Sequence, residues 1–465
     1  MTLLEISLLL VDLLALSLLI SKTGQRGHVA RLLVWAGLAL GIVTCIVEPP
    51  RWQMYPAVLL SVTLAAYSLT GIGTSGKFRW LVALFGYSAL AASMVLGLLL
   101  PVFSLPIPDG PFEIGTDVRV WMRTELATGS LTTSPEPRRL IVQLWYPAQP
   151  GQKGKTAQYR DADSGTPLTK YLQLVSTHAK IGVQVARSQQ KFPVLLFSPL
   201  WNSGRSPYTF FYEMLASHGF IVAAIEHPLD YPNVDFEIVS RKDTQPLDAR
   251  LAKRVSDVGF VLDQLKKMNS ADAGELFAGK LDLDRVGIVG HSFGGSTAAE
   301  SCLLDQRFKA GLSLDGNLYG TVADGSPTQP FFFMESDGPS DLGPLLSSKD
   351  ADRKLWAELE QLDRSRKINW LQQRGGYFLQ IRGSIHMDYS DHPFFSPIKR
   401  LSATSHVDPA TERQVIGAYL LAFFEKYLNG RDEPILEKSP SSFSQAKFFH
   451  YPSPDAPENP FASGR

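Results

Sequence analysis

Residues 1–103 and residues 105–465 follow two different hydrophobic patterns. In the first stretch, apolar residues run almost unbroken over 3–20, 30–47, 57–72 and 81–103, with short polar links between them. Each run is close to the ~20 residues that carry a helix across a hydrocarbon layer. None shows the polar face that a soluble helix turns to water. The pattern predicts an N-terminal bundle of about four transmembrane helices. After the Pro/Gly-rich connector Ser104-Leu-Pro-Ile-Pro-Asp-Gly-Pro111 the pattern changes. Segments 118–122 and 140–146 alternate apolar and polar residues, which predicts an antiparallel edge pair. Short, continuous apolar runs at 192–197, 220–226, 286–289, 310–314, 330–335 and 377–381 suit strands buried on both faces of a mostly parallel sheet. Helical periodicity falls between them, at 207–218, 249–268, 296–304 and 414–428. Such alternation predicts an α/β fold with helices on both sides of the sheet.

Three stretches stand outside the alternation. Residues 156–190 are polar and read as a loop over the sheet. Residues 337–374 read as an insertion carrying a helix over 351–371, either a cap over the site or a surface excursion. The tail after Glu437 is rich in Pro, Ser and Asn and reads as flexible. The expected division is a bundle at 1–103, an α/β domain at 105–436 and a tail at 437–465.

Charge narrows the functional classes. The chain has 45 Lys and Arg against 45 Asp and Glu, so it lacks the basic footprint of a nucleic-acid binder. Its two cysteines, Cys45 and Cys302, lie far apart in dissimilar segments and suggest no disulfide framework. The nine histidines are scattered, without metal-ligand spacing. In the apolar part, Lys22, Arg26 and Arg31 fill the first link and Lys77 and Arg79 the third, while Glu48-Pro-Pro-Arg-Trp52 is balanced. The positive-inside bias then places both termini and the α/β domain outside the cytoplasm. Met1-Thr-Leu-Leu-Glu5 lacks the positive start of a cleaved signal. Asp12 lies mid-run, where a carboxylate costs about 2.5–3.5 kcal/mol on insertion scales, so it is expected to face the bundle interior beside a serine or threonine.

The strongest chemical motif is Gly290-His291-Ser292-Phe293-Gly294, followed by Gly295. It lies between the apolar run 286–289 and the helical run 296–304, as a nucleophile elbow does between strand and helix. A serine hydroxyl needs a base to take its proton and an acid to orient that base. In α/β-hydrolases the order is Ser, acid, His. His386, His392, His406 and His450 follow Ser292. Only His386 comes straight after the last sheet strand, where the site of an open α/β sheet forms. His291, next to the serine, reads as a supporting or substrate-facing residue. For the acid, Asp315, Glu335 and Asp337 all end predicted strands, and spacing leaves the choice open. The N–H of Phe293, directly after the nucleophile, is an expected oxyanion donor.

The blocks Gly290-His-Ser-Phe-Gly-Gly295, Asp305-Gln-Arg-Phe308, Leu314-Asp-Gly316 and Ile381-Arg-Gly-Ser-Ile-His386 resemble the platelet-activating factor acetylhydrolase family, the plasma-type lipoprotein-associated phospholipases A2. Phe192-Pro-Val-Leu-Leu-Phe-Ser198 and Leu215-Ala-Ser-His-Gly-Phe-Ile-Val-Ala-Ala-Ile-Glu-His227 match too, so the resemblance spans roughly 105–430. It implies an α/β-hydrolase fold, Ser292 as nucleophile, Asp315 as acid, His386 as base, and the backbone of Trp201 as second oxyanion donor. It also implies calcium-independent chemistry with no metal or cofactor. The chain departs from the pattern at Pro199-Leu200, where the family carries His-Gly, and in its apolar N-terminal region. The expected function is a serine esterase, held in a membrane, that cleaves short or oxidised acyl chains from phospholipid esters. A general carboxylesterase or polyester hydrolase is the alternative within enzymes, and a catalytically inactive membrane receptor domain is the alternative outside them.

Overall fold

The computed structural model describes the chain except residues 22–26, 48–50, 71–75, 124–137, 162–164, 229–244, 271, 273–274, 339–341, 406, 439, 441 and 454–465. Lys22, Arg26, Glu48 and His406 therefore lie outside the described residues. The chain divides into two compact units. One holds Met1–Leu105 with Gln158–Thr177 and Pro393–Ser402, and the other holds the rest.

The first unit contains helices α1 (Leu3–Ile20), α2 (Gly27–Val47), α3 (Tyr55–Thr70) and α4 (Gly76–Leu99). Among the described residues three helices are long and apolar enough to cross a membrane: Leu3–Ile20, His28–Val47 and Arg79–Leu99. The expectation of about four is met in part: α3 is described over 16 residues, and residues 71–75 after it lie outside the described residues. A buried polar seam runs inside the bundle. Ser61 donates to Asp12 at 2.7 Å, as the cost of an isolated carboxylate demands. Gly37 faces Asp12, and a Cβ there would overlap the carboxylate. Arg51 and Glu5 pair at 2.8 Å with both side chains buried.

Two later excursions of the chain belong to this unit. Phe394 and Phe395 each stack on Phe103 with ring centroids 5.6 Å apart, and Tyr159 meets Phe103 edge-on at 5.3 Å. Trp52 donates to the Leu168 carbonyl at 3.0 Å. The stretch 156–190 is thus more than a loop over the sheet. Part of it packs with the helices, and it also carries two short strands.

Among the described residues the sheet has eleven strands: β1 (Glu113–Arg123), β2 (Arg138–Ala148), β3 (Thr156–Gln158), β4 (Ser176–Ile181), β5 (Phe192–Ser198), β6 (Ile221–Glu226), β7 (Leu281–His291), β8 (Phe308–Leu314), β9 (Phe331–Glu335), β10 (Gly376–Ile381) and β11 (Ala446–Tyr451). Their order is β11-β10-β9-β8-β7-β5-β6-β2-β1-β4-β3. The run β6-β5-β7-β8-β9-β10 is parallel throughout. The antiparallel pair β1–β2 forms as expected but not at an edge, because β4 and β3 lie beyond it. The expected flexible tail is also corrected: Ala446–Tyr451 pairs antiparallel with β10 and closes the other edge. The physical reason is alternation. Phe448 and His450 both stack on Tyr377, while Phe449 points out to solvent.

The period of two sorts the strand residues into two cores. Leu195, Phe197, Val222, Ala224, Val289, Leu312 and Phe332 face one way, against Phe211 and Leu215 of α5 (Thr209–Ser217) and Val415, Tyr419 and Phe423 of α9 (Pro409–Asn429). Val194, Leu196, Ile221, Ala223, Ile288 and Phe333 face the other way. There they meet Val258 and Leu262 of α6 (Gln245–Asn269), Ala298 and Cys302 of α7 (Phe293–Leu304) and Trp370 of α8 (Ala351–Arg374). Each fully buried Leu, Ile, Val or Phe contributes ~1.5–3 kcal/mol, which makes the register hard to slip. The chain leaves β5 for β6 on one side and returns to β7 on the other, so the sheet has its switch point at the carboxyl ends of β5 and β7.

Candidate active site

The elbow sits at that switch point. Ser292 has φ 57 and ψ −123, a strained backbone for a residue with a side chain. Its N–H donates to the Leu314 carbonyl at 2.8 Å, and its carbonyl accepts from Gly295 at 2.8 Å. Close approach explains the flanking glycines. A Cβ at Gly290 would overlap the backbone of Gly294, and one at Gly294 would overlap the carbonyl of Ser198. The elbow therefore touches the end of β5 directly.

Asp315 ends β8, also with positive φ. Its N–H donates to the Met334 carbonyl at 2.7 Å. One carboxylate oxygen accepts from the Ser336 N–H at 2.7 Å, and the other meets His386 Nδ1 at 2.6 Å. Burial disfavours the charged form of Asp315, but His386 and the Ser336 N–H outweigh it and hold the carboxyl well below the usual carboxylate range. His386 follows β10 through a turn in which Asp388 accepts from the Ile385 N–H at 2.8 Å. Its ring stays exposed, at 44 %, against 11 % for the Asp315 side chain.

The other two carboxylates left open by spacing serve elsewhere. Glu335 pairs with Lys367 at 2.8 Å, and burial pushes its carboxyl up to about 8. Asp337 accepts from the Gly383 N–H at 2.7 Å and ties the ends of β9 and β10 together. Of the three, Asp315 alone bonds His386. His392 bonds Ser390 at 2.8 Å and His450 stacks on Tyr377. His291 is fully buried beneath the site, its ring 4.6 Å from that of His386.

The loop after β5 carries Trp201, whose ring meets Phe293 edge-on at 5.0 Å. Arg254 of α6 donates to the Pro199 carbonyl at 2.7 Å and the Leu200 carbonyl at 3.3 Å. The peptide is planar and trans, so the Trp201 N–H points opposite the Leu200 carbonyl, away from Arg254. Pro199-Leu200, the departure from the family pattern, is thereby anchored by a side chain that sequence reasoning missed. The available signal was a charged stripe, Arg250, Arg254 and Asp257, at helical spacing on an otherwise amphipathic segment.

Asp257 leads to a second missed group. Its carboxylate meets His227 Nδ1 at 3.1 Å, and His227 Nε2 meets Ser198 Oγ at 3.0 Å. Arg138 and Arg123 also donate to Asp257, each at 2.9 Å. Ser198, His227 and Asp257 are all buried. A cavity of about 300 Å³ opens beside Asn317 and Tyr319, two and four residues past Asp315, and is lined in part by Leu359, Leu362 and Arg366 of α8. Among the described residues no group of three metal-ligating side chains occurs.

A strained serine at a sheet switch point, with an imidazole–carboxylate pair beside it, is equipped for acyl transfer through a covalent intermediate. The class is the carboxylic ester hydrolases. The family model of platelet-activating factor acetylhydrolase, isoform II, matches residues 105–231 and 250–437, more than half of the chain, and the chain belongs to that family. Among curated relatives, a platelet-activating factor acetylhydrolase from Cavia porcellus is 26% identical over 364 residues, covering 70% of this chain and 78% of that one. A probable 1-alkyl-2-acetylglycerophosphocholine esterase from Arthroderma benhamiae is 25% identical over 409 residues, covering 77% of this chain and 97% of that one. Among solved structures, a ferulic acid esterase from Streptomyces cinnamoneus aligns with a TM-score of 0.56 and 25% identity, over 75% of this chain and 100% of that one.

Proposed function

We propose that this chain, an α/β-hydrolase, removes short or oxidised acyl chains from phospholipids through an acyl-enzyme formed on Ser292. The observation that carries the reading is the 2.6 Å contact between His386 and Asp315 beside the strained elbow. Ser292 Oγ attacks the ester carbonyl carbon while His386 Nε2 takes the hydroxyl proton. Asp315 holds the ring through Nδ1 and stabilises the imidazolium. The N–H groups of Phe293 and Trp201 receive the developing oxyanion. As the intermediate collapses, the C–O bond to the lysophospholipid breaks and His386 returns the proton to the leaving oxygen. Water then attacks the acyl-enzyme by the same route and releases the free acid. The names of the Cavia and Arthroderma relatives support an acetylated phospholipid as substrate.

The apolar N-terminal helices support permanent anchoring in a membrane; if all four apolar runs cross it, Arg31, Lys77 and Arg79 share one side and support an extracytoplasmic catalytic domain. Anchoring raises the local concentration of a lipid substrate. In Ser292→Ala, hydrolysis of p-nitrophenyl acetate falls by roughly a hundred thousandfold with the fold intact; full activity would sink the mechanism. A second reading, a general carboxylesterase, is favoured by the ferulic acid esterase neighbour. Release of acetate from an acetylated phospholipid, compared with hydrolysis of a feruloyl ester, separates the two.

A further inference from the structure

Resting on that reading, we propose that Tyr208 and His291 are positioning residues, joined in one directed hydrogen-bond chain that ties the loop after β5 to the main chain of His386. The direction follows from what each partner can do. The Leu200 N–H donates to Tyr208 Oη at 3.1 Å. The Tyr208 hydroxyl proton is then directed to His291 Nδ1, 2.9 Å away. At the far end, the His386 carbonyl can only accept, so His291 Nε2 carries the proton of that 2.9 Å bond. Both ring nitrogens are assigned, and His291 is the neutral Nε2–H tautomer.

The surroundings agree. The His291 ring is completely buried. Burial first, and then the neighbouring His386, drive its basicity well below that of an ordinary histidine. A charged ring 4.6 Å from His386 would oppose the imidazolium that His386 becomes on taking the serine proton. A neutral ring packs there without that penalty.

The chain joins two parts that must keep their spacing. At one end is the loop carrying Trp201, at the other the backbone of the base. Between them, His291 is the chain neighbour of Ser292, so any shift of the elbow is felt at both ends. Misplacement by about 1 Å costs on the order of a hundredfold in rate. The same geometry explains a supporting role for His291 without giving it contact with the substrate.

The test uses the full-length protein in detergent. Tyr208→Phe, His291→Asn, His291→Gln and the double variant Tyr208→Phe/His291→Asn are compared on p-nitrophenyl acetate. Each single change, Tyr208→Phe and His291→Asn, is expected to lower kcat about tenfold or more with KM within about twofold. The double variant should be no slower than the worse single, because both break one chain. His291→Gln, which can place an amide N–H near Nε2, should regain part of the rate. Multiplicative single effects, or an unchanged kcat in Tyr208→Phe, overturn the proposal. Tyr208→Phe retains the aromatic ring that packs on Phe197, so this arm reads out even if the His291 variants fold poorly. Wild-type protein that a fluorophosphonate does not label at Ser292 overturns the ester-hydrolase reading itself, and so the two failures are distinguishable.

Discussion

Two places in the catalytic unit set a serine near an Asp–His hydrogen bond, and they are built for opposite ends. At the carboxyl edge of the sheet, Asp315 holds His386 beside Ser292, whose backbone is strained and whose partner ring is 44 % exposed. One strand over, Asp257 holds His227, which bonds Ser198 Oγ, but Ser198 lies in the regular strand β5 and the His227 side chain is 2 % exposed. The two carboxylates differ as well. Among the described residues Asp315 accepts only from His386 and one backbone N–H, whereas Asp257 also neutralises Arg138 and Arg123. Burial lowers the basicity of His227 although Asp257 opposes this. A ring that is slow to accept a proton and has no room for an ester is a brace, not a base. A serine near an Asp–His pair therefore does not by itself mark a nucleophilic site; access and backbone strain are what separate the two clusters.

The widest separation between the two clusters should appear at the serines. Ser292→Ala abolishes ester hydrolysis, whereas Ser198→Ala loses about 1 kcal/mol of stability and keeps kcat within a few fold. Steady-state rates and melting curves on both variants check this.

The acids come next. Asp315→Asn should lower kcat roughly ten thousandfold at nearly unchanged stability, as when the orienter of a catalytic histidine is lost. Asp257→Asn should do the reverse. It leaves two arginines without their counter-charge, a loss of about 3–5 kcal/mol for a broken buried pair, while the folded fraction stays active. Urea unfolding with parallel activity assays distinguishes the outcomes.

A smaller effect is expected where the two clusters meet, at the loop after β5. Arg254→Met removes both guanidinium contacts to the Pro199 and Leu200 carbonyls. A drop in kcat of roughly ten- to a hundredfold, with little change in KM, is expected if these contacts orient the Trp201 N–H. Inhibition by a trifluoromethyl ketone, which mimics the tetrahedral adduct, should weaken in proportion.

The smallest effect is a pH effect away from both clusters. His178 bonds the buried Glu213 at 2.8 Å, and that bond raises its basicity above the ordinary histidine value. A raised value in the folded state means the stabilisation is full below about pH 6.5 and is lost as pH rises through the raised value. The melting-temperature gap between wild type and His178→Asn should therefore narrow as pH is raised. A gap that widens would contradict the assignment.

Much of this was legible in the chain, for reasons that can be named. Strands β5 to β9 announce themselves because both faces are largely buried, and the elbow because its glycines tolerate no side chain. The places of Ser292 after β7 and His386 after β10 follow from chain order and strand ends. Spacing could not choose among Asp315, Glu335 and Asp337, since all three end strands; resemblance to a family pointed to Asp315, and in the fold it is the one that His386 meets. Other features depend on contacts between distant residues. Arg138, His227 and Asp257 come together only through the sheet and α6, and nothing local marks them as partners. The strand β11 was hidden because Phe448 and His450 sit in a segment whose Pro and Ser content reads as a tail.

The central claim is that the strained serine at the sheet switch point is the nucleophile and its buried counterpart is not. The direct measurement is mass spectrometry of the full-length protein after treatment with a fluorophosphonate, with the adduct mapped to a peptide. A single adduct on the peptide containing Ser292, absent in Ser292→Ala and unchanged in Ser198→Ala, is the predicted result. An adduct on Ser198, or none on Ser292 in wild-type protein, would contradict it.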